Sequence, residues 1–233
     1  MTLTMVGVTT GFKATKPRPW LPRGWRGPGR AAVALAVLVV VACRPSGTPD
    51  TIGPIDVGAE PRQEAAVVPE AMRFARDGIE WTMTPLARYV LAGVVVGREN
   101  YHFGWNATIS PCDLAMVWGE LARSDLFERL RWSQSGRWYF WSPRHGFAHD
   151  NSFVARHSSN THIIPANRNV ERAVRLLGPG DMAELTGELA RIEGRKDGRT
   201  MVWTSSLSRE DTGDGSCELL YVRRVRYDGT IYQ

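Results

Sequence analysis

The sequence predicts a strand-rich α+β domain: a strongly curved sheet or small, partly closed barrel carrying two helices. Three observations predict it. Most of the chain after residue 78 alternates apolar and polar residues in short runs bounded by turn residues, as half-buried strands do. Several of these runs hold an internal glycine (Gly93, Gly136, Gly187), placed where a strand must bend or approach another backbone closely. Only two stretches show helical spacing. With 233 residues, 43% of them hydrophobic, the chain can bury one good core.

Residues 1–43 read as an export signal. Six basic residues (Lys13, Lys16, Arg18, Arg23, Arg26, Arg30) precede the apolar run Ala31 to Ala42, which is short for a hydrocarbon core of roughly 30 Å. Val40-Val41-Ala42-Cys43 resembles the lipobox of bacterial lipoproteins. That resemblance implies lipidation of Cys43 and an anchored, periplasm-facing protein of the cell envelope. Arg44 after the cysteine implies the outer rather than the inner membrane. The leader also explains the pI: it holds six of the 29 basic residues and none of the 24 acidic ones. Residues 44–233 are therefore close to neutral and offer no general field for polyanions, so no nucleic acid is expected as partner. Residues 44–70, punctuated by Pro45, Pro49, Pro54, Pro61 and Pro69, read as a disordered tether. Residues 71–233 form the globular domain.

Within that domain, Ile79–Met83 and Tyr89–Val96 read as strands, the second β-branched and buried. Ser110-Pro111-Cys112-Asp113 reads as a capped helix start, with Leu114, Val117, Trp118 and Leu121 at helical spacing. Asp113 is then a capping acid. Ser124-Asp125 begins a further turn carrying Phe127 and Leu130. Trp132–Trp141 reads as one strand with Gly136 inside it, its alternation turning Trp132, Trp138 and Phe140 towards the core.

A polar loop, 142–152, leads to a further strand over Phe153–Arg156. Asn167 or Asn169 caps the clearest helix, whose Val170, Ala173, Val174 and Leu177 share one face before Gly178-Pro179-Gly180 stops it. Met182–Ile192, Thr200–Ser205 and Cys217–Tyr227 follow as strands, separated or ended by the turns Asp197-Gly198 and Asp228-Gly229. A helix followed by Gly180-Asp181 and an alternating strand is OB-like, similar to strand entry in oligonucleotide/oligosaccharide-binding folds. Cys112 and Cys217, the pair left beside Cys43, are a disulfide candidate in an oxidising compartment.

The strings Trp132-Ser133-Gln134-Ser135, His157 to Asn167, Gly180-Asp181 and Ser205 to Gly213 are similar to an uncharacterised bacterial family of exported, lipoprotein-like proteins. The likeness spans about residues 85–226. It implies a leader plus one domain and carries no activity.

The densest polar run is His157 to Asn167. As an extended strand it turns His157, Ser159 and Thr161 to one side and Ser158, Asn160 and His162 to the other. A polar cleft for a ligand is expected from three segments. They are Gln134 with Arg137; His157, Ser158, Asn160, His162 and Asn167; and Ser205, Arg209 and Asp211. The function expected is binding without catalysis, to a partner protein or an envelope glycan, with no cofactor. The alternative is a hydrolase of an envelope substrate, with His157 or His162 as base, Ser158 as nucleophile and Asp211 as orienting carboxylate. His145, His149, His157 and Asp150 lack the spacing of a metal site, and none is assigned.

Overall fold

A computed structural model describes residues 44–65, 70–208 and 217–233. Strands β1 (Thr48–Pro49), β2 (Arg62–Ala65) and β3 (Met72–Arg76) precede β4 (Ile79–Asn100), a 22-residue strand. After it come α1 (Trp105–Ile109), β5 (Cys112–Val117), α2 (Gly119–Arg123) and a 3-10 turn over Leu126–Arg129. A separate hairpin, β6 (Leu130–Ser135) and β7 (Trp138–Pro143), is followed by α3 (Asn151–Arg156), β8 (Ser158–Pro165) and α4 (Arg168–Val174). Strands β9 (Met182–Lys196), β10 (Arg199–Thr204), β11 (Leu219–Tyr227) and β12 (Thr230–Tyr232) complete the chain.

The large sheet curves until its pairing closes a ring. Strand β4 pairs with β5, β5 with β8, β8 with β11, β11 with β9, and β9 again with β4. Among the described strands only β8 and β11 run parallel. The class expected, a strand-rich α+β fold with a strongly curved sheet, is the one observed. Among the described residues the helices number four, all short, rather than two. Curvature is taken up at bulges next to Val95 and Pro85 in β4 and Val222 in β11. Gly187 lies opposite the last of these, where a Cβ would run into the carbonyl oxygen of Tyr221. Gly93 marks a close approach rather than a bulge: its Cβ would sit 2.5 Å from the Val117 oxygen.

One face of the ring strands buries Tyr89, Leu91, Leu114, Met116, Ile163, Leu185 and Leu220, and α4 adds Val170, Ala173 and Val174. The opposite face carries two further clusters. One gathers Trp81, Met83, Ile164, Ile192 and Leu219; the other sets Ala115, Val117 and Val154 beneath the hairpin's Leu130, Trp132, Tyr139 and Trp141.

Several local expectations are overturned. Cys112–Val117 is a strand, completely buried and paired on both edges, where a helix was expected. The Ser110-Pro111 start is a local preference worth about 1 kcal/mol, and two ladders plus burial of six residues outweigh it. Phe153–Arg156 belongs to a helix, because the Asp150 carboxylate accepts the Phe153 N–H (2.8 Å) and caps it. Trp132–Trp141 is a hairpin. Gly136 and Arg137 turn it at φ 60° and 77°, so Ser135 faces Trp138 across the ladder and the in–out alternation reverses. Trp132, Tyr139 and Trp141 therefore point inward, while Trp138 and Phe140 point out.

Cys112 and Cys217 form no disulfide. Cys112 packs in the main core, whereas Cys217 precedes by two residues Leu219, which packs on the opposite face of the sheet. Residues 44–65 do not hang free as a tether. Strand β1 pairs with β12 and β2 with the edge of β4. Arg226, 3% exposed, donates to Asp50 (2.7 Å) and to the Gly53 carbonyl (2.6 Å). A composition that cannot build its own core is here held by the sheet edges and one buried ion pair.

Candidate functional site

The polar side chains meet on the outer face of β5 and β8, under the tip of the hairpin. Antiparallel pairing sets Asp113 of β5 directly opposite His162 of β8, and Ala115 opposite Asn160. Asp113 is fully buried and collects three partners. Arg137 donates through Nη1 to its Oδ1 (2.7 Å), Asn160 donates to its Oδ2 (3.2 Å), and His162 Nδ1 lies 2.9 Å from Oδ1. The last approach lies off the line of a directed hydrogen bond, so it acts as a charge–dipole contact.

Arg137 is held by more than this carboxylate. Its guanidinium donates to the Ser110 hydroxyl (3.3 Å) and carbonyl (2.8 Å) and stacks 3.6 Å from the centre of the Tyr101 ring. The Trp203 ring lies 5.3 Å away and also packs at 4.6 Å against His162. Tyr101 accepts the Arg137 backbone N–H through its hydroxyl (3.1 Å). Burial, reinforced by the Asp113 charge, pushes the Tyr101 phenol well above its ordinary value. Asn160 also donates to the Arg137 carbonyl (2.9 Å) and accepts from Gln134 (2.7 Å). One turn residue at positive φ is thus fastened through its N–H, its carbonyl and its side chain.

Of the residues expected at a cleft, Gln134, Arg137, Asn160 and His162 come together. Ser158 lies on the same face but further along, donating to the Val154 carbonyl (2.7 Å) and within 3.1 Å of the Tyr139 hydroxyl. The alternation read from the run holds: Ser159 and Thr161, on the other face, bond to each other (2.9 Å). His157 is elsewhere, at the end of α3. Its Nδ1 is 2.8 Å from the Phe153 carbonyl and its Nε2 3.6 Å from Glu60. Asn167 is a helix cap, accepting the N–H groups of Asn169 and Val170. Ser205 is consumed locally, donating to the Ser206 carbonyl (2.8 Å) and accepting from Leu219 (3.0 Å). Arg209, Asp211 and Cys43 lie outside the described residues.

Compared with family models, with curated proteins and with solved structures, the chain matches none. Its chemistry therefore rests on the site itself. Of the residues named for a hydrolase, His157 and His162 occupy different surroundings, and no hydroxyl among the described residues hydrogen-bonds the His162 ring. Among the described residues no three His, Cys, Asp or Glu side chains gather as metal ligands, and no helix is long and apolar enough to cross a membrane.

Sequence reasoning missed Asp113, Tyr101, Ser110 and Trp203. Asp113 was hidden by its good fit to a helix cap. The signal that finds it is the register: once 158–165 is a strand, an acid opposite His162 is the natural partner.

Proposed function

We propose that this protein is a non-catalytic binding module of the bacterial cell envelope, held at the membrane by a lipid on Cys43 and facing the periplasm. Its partner is an envelope glycan or an envelope protein. The observation that carries the reading is the state of Asp113: Arg137, Asn160 and His162 take up its carboxylate. A general base must be free to accept a proton from a substrate or nucleophile. A carboxylate already surrounded by two donors and an imidazole instead fixes the shape of the hairpin tip. The five-strand ring adds support by analogy, since small curved five-strand folds bind ligands on one sheet face and its flanking loops.

The test is co-sedimentation of the full chain with purified peptidoglycan sacculi and chemical cross-linking in intact envelopes. The expected outcome is saturable binding or one dominant cross-link, with no soluble fragment released from either material over time. Time-dependent release that stops in His162→Ala while binding persists would replace this reading with the hydrolase. Palmitate labelling that is equal in the wild type and Cys43→Ser would remove the lipid anchor from it.

A further inference from the structure

The outer face of the hairpin plays no part in the polar network. Its register pairs Arg131 with Ser142, Ser133 with Phe140, and Ser135 with Trp138. Arg144 donates its N–H to the Arg129 carbonyl (2.8 Å), extending the ladder by one rung. From base to tip this exposed face therefore reads arginine–arginine, arginine–serine, serine–phenylalanine, serine–tryptophan, over roughly 20 Å at about 3.3 Å per residue. Trp138 is 37% and Phe140 52% exposed. Neither strand contains an acidic residue, and Arg131 and Arg144 have no ion-pair partner among the described residues. Arg129 donates one N–H to the Gly146 carbonyl (3.0 Å); Glu128, just before it, is the nearest acid along the chain.

We infer that this face binds an acidic glycan, a sugar polymer bearing carboxylates or phosphates. The inference rests on the binding-module reading and names its ligand class and surface. Each aromatic residue stands directly across the ladder from a serine, their Cβ atoms about 5 Å apart. A sugar ring needs this pairing: its C–H face lies on the aromatic face while its hydroxyls reach a donor and acceptor alongside. The three arginines at the base supply the complementary charge for the anionic substituents. A lipid bilayer is a poorer fit, because sinking Trp138 and Phe140 into acyl chains would strip water from Ser133 and Ser135 with nothing to replace it. A single nucleic-acid strand would stack its bases on the same two rings, and the titration below separates it from a glycan.

The inner-facing Trp132, Tyr139 and Trp141 explain why this surface is presented as a fixed plane. Their ring centres lie 5.3–6.3 Å apart and anchor the hairpin's other side to the core. Together with Arg137 at the tip they hold the face still, so little ordering entropy is lost on binding.

The experiment is titration of the full chain with alginate oligomers, which carry a carboxylate on every sugar. Neutral dextran, phosphatidylglycerol vesicles and a single-stranded oligodeoxynucleotide run in parallel. Alginate is expected to bind and dextran to bind at least tenfold more weakly. Trp138→Ala and Phe140→Ala should each cost about tenfold in affinity. Arg131→Gln and Arg144→Gln should cost less and flatten the salt dependence. Circular dichroism and the melting temperature of each variant confirm that the hairpin is intact, and Trp138→Phe should retain most of the binding. Preference for the oligonucleotide over alginate overturns the inference, and so does vesicle binding that Trp138→Ala and Phe140→Ala weaken, since binding through a lipid on Cys43 would be indifferent to both. Alginate binding that all four substitutions leave unchanged also overturns it. If sacculi still bind these variants at wild-type strength, the binding-module reading stands and this surface falls. If the wild type binds neither sacculi nor alginate and cross-links to nothing in the envelope, both fall.

Discussion

Asp113 and Arg137, 24 residues apart in the chain, meet at 2.7 Å with the carboxylate wholly buried and the guanidinium side chain 17% exposed. Three other two-residue turns, at Asp77-Gly78, Asp197-Gly198 and Asp228-Gly229, place glycine at the second position, with φ of 72°, 72° and 65°. The hairpin alone puts an arginine there, at 77°. A side chain at positive φ costs on the order of 1 kcal/mol, and the contacts of Arg137 must outweigh it.

Replacing Asp113 leaves Arg137 without its counter-charge, Asn160 without an acceptor and His162 without the charge beside its ring. Asp113→Ala should lower unfolding free energy by about 3–5 kcal/mol, the range for breaking a buried pair. Urea denaturation checks this, and Asp113→Asn should recover part of the loss because it keeps one acceptor oxygen.

Arg137→Gly sets two terms against each other. Relief of the turn should return about 1 kcal/mol, while an uncompensated buried Asp113 should cost about 3 kcal/mol or more, so the net change is destabilising. In the double variant with Asp113→Ala the two losses should fall well short of additive, because both remove one interaction. Additive losses measured by chemical denaturation would mean the pair is not coupled.

Gly187→Ala puts a methyl group against the backbone carbonyl of Tyr221, and neither strand can yield without opening the β9–β11 ladder beside its bulge. A loss of about 3 kcal/mol or more is expected. Gly180→Ala, also a described glycine but with nothing within 4 Å of its Cβ, is the comparison; its cost comes from φ of 95° alone and should be smaller.

Burial, with the neighbouring Asp113 charge, pushes the Cys112 thiol up to about 12 from an ordinary 9.0. It should therefore resist a thiol reagent at pH 8 in the folded protein and react once the chain is unfolded in guanidinium. The unfolded thiol ionises first as pH rises, so this group's contribution to stability should fall between about pH 9 and 12. Without a bridge to Cys217, the melting temperature should not change on adding a reductant.

The hydrogen bond from Arg226, with that from the Ile52 N–H, holds the Asp50 carboxyl below its ordinary value. A depressed acid stabilises the fold above its unfolded value of 3.8 and loses that contribution as pH falls through the folded value. Acidification below about pH 4 should release residues 48–53 ahead of global unfolding, seen as faster amide exchange at Asp50, which donates to the Gly229 carbonyl. Asp50→Asn should produce the same release at neutral pH.

What the chain's order of residues determined by itself is local. The turns at Asp197-Gly198 and Asp228-Gly229, the Asn167 cap and the apolar stripe of α4 all follow from preferences within a few residues, and all were legible. So was the division of the 158–162 run into two faces, because the period of a strand is 2 whatever it packs against. The tertiary structure decided everything that depended on who stands beside whom. Ser110 to Asp113 satisfy the rules of a helix start, yet ladders to β4 and β8, distant in sequence, pull Asp113 into a strand and make it the centre of the site. One turn at Gly136-Arg137 reversed which aromatic residues face outward. Cys112 was drawn into the main core, and no bridge to Cys217 forms. Local preferences are worth about 1 kcal/mol each, and the burial and pairing that overrule them sum over many residues brought together from far apart.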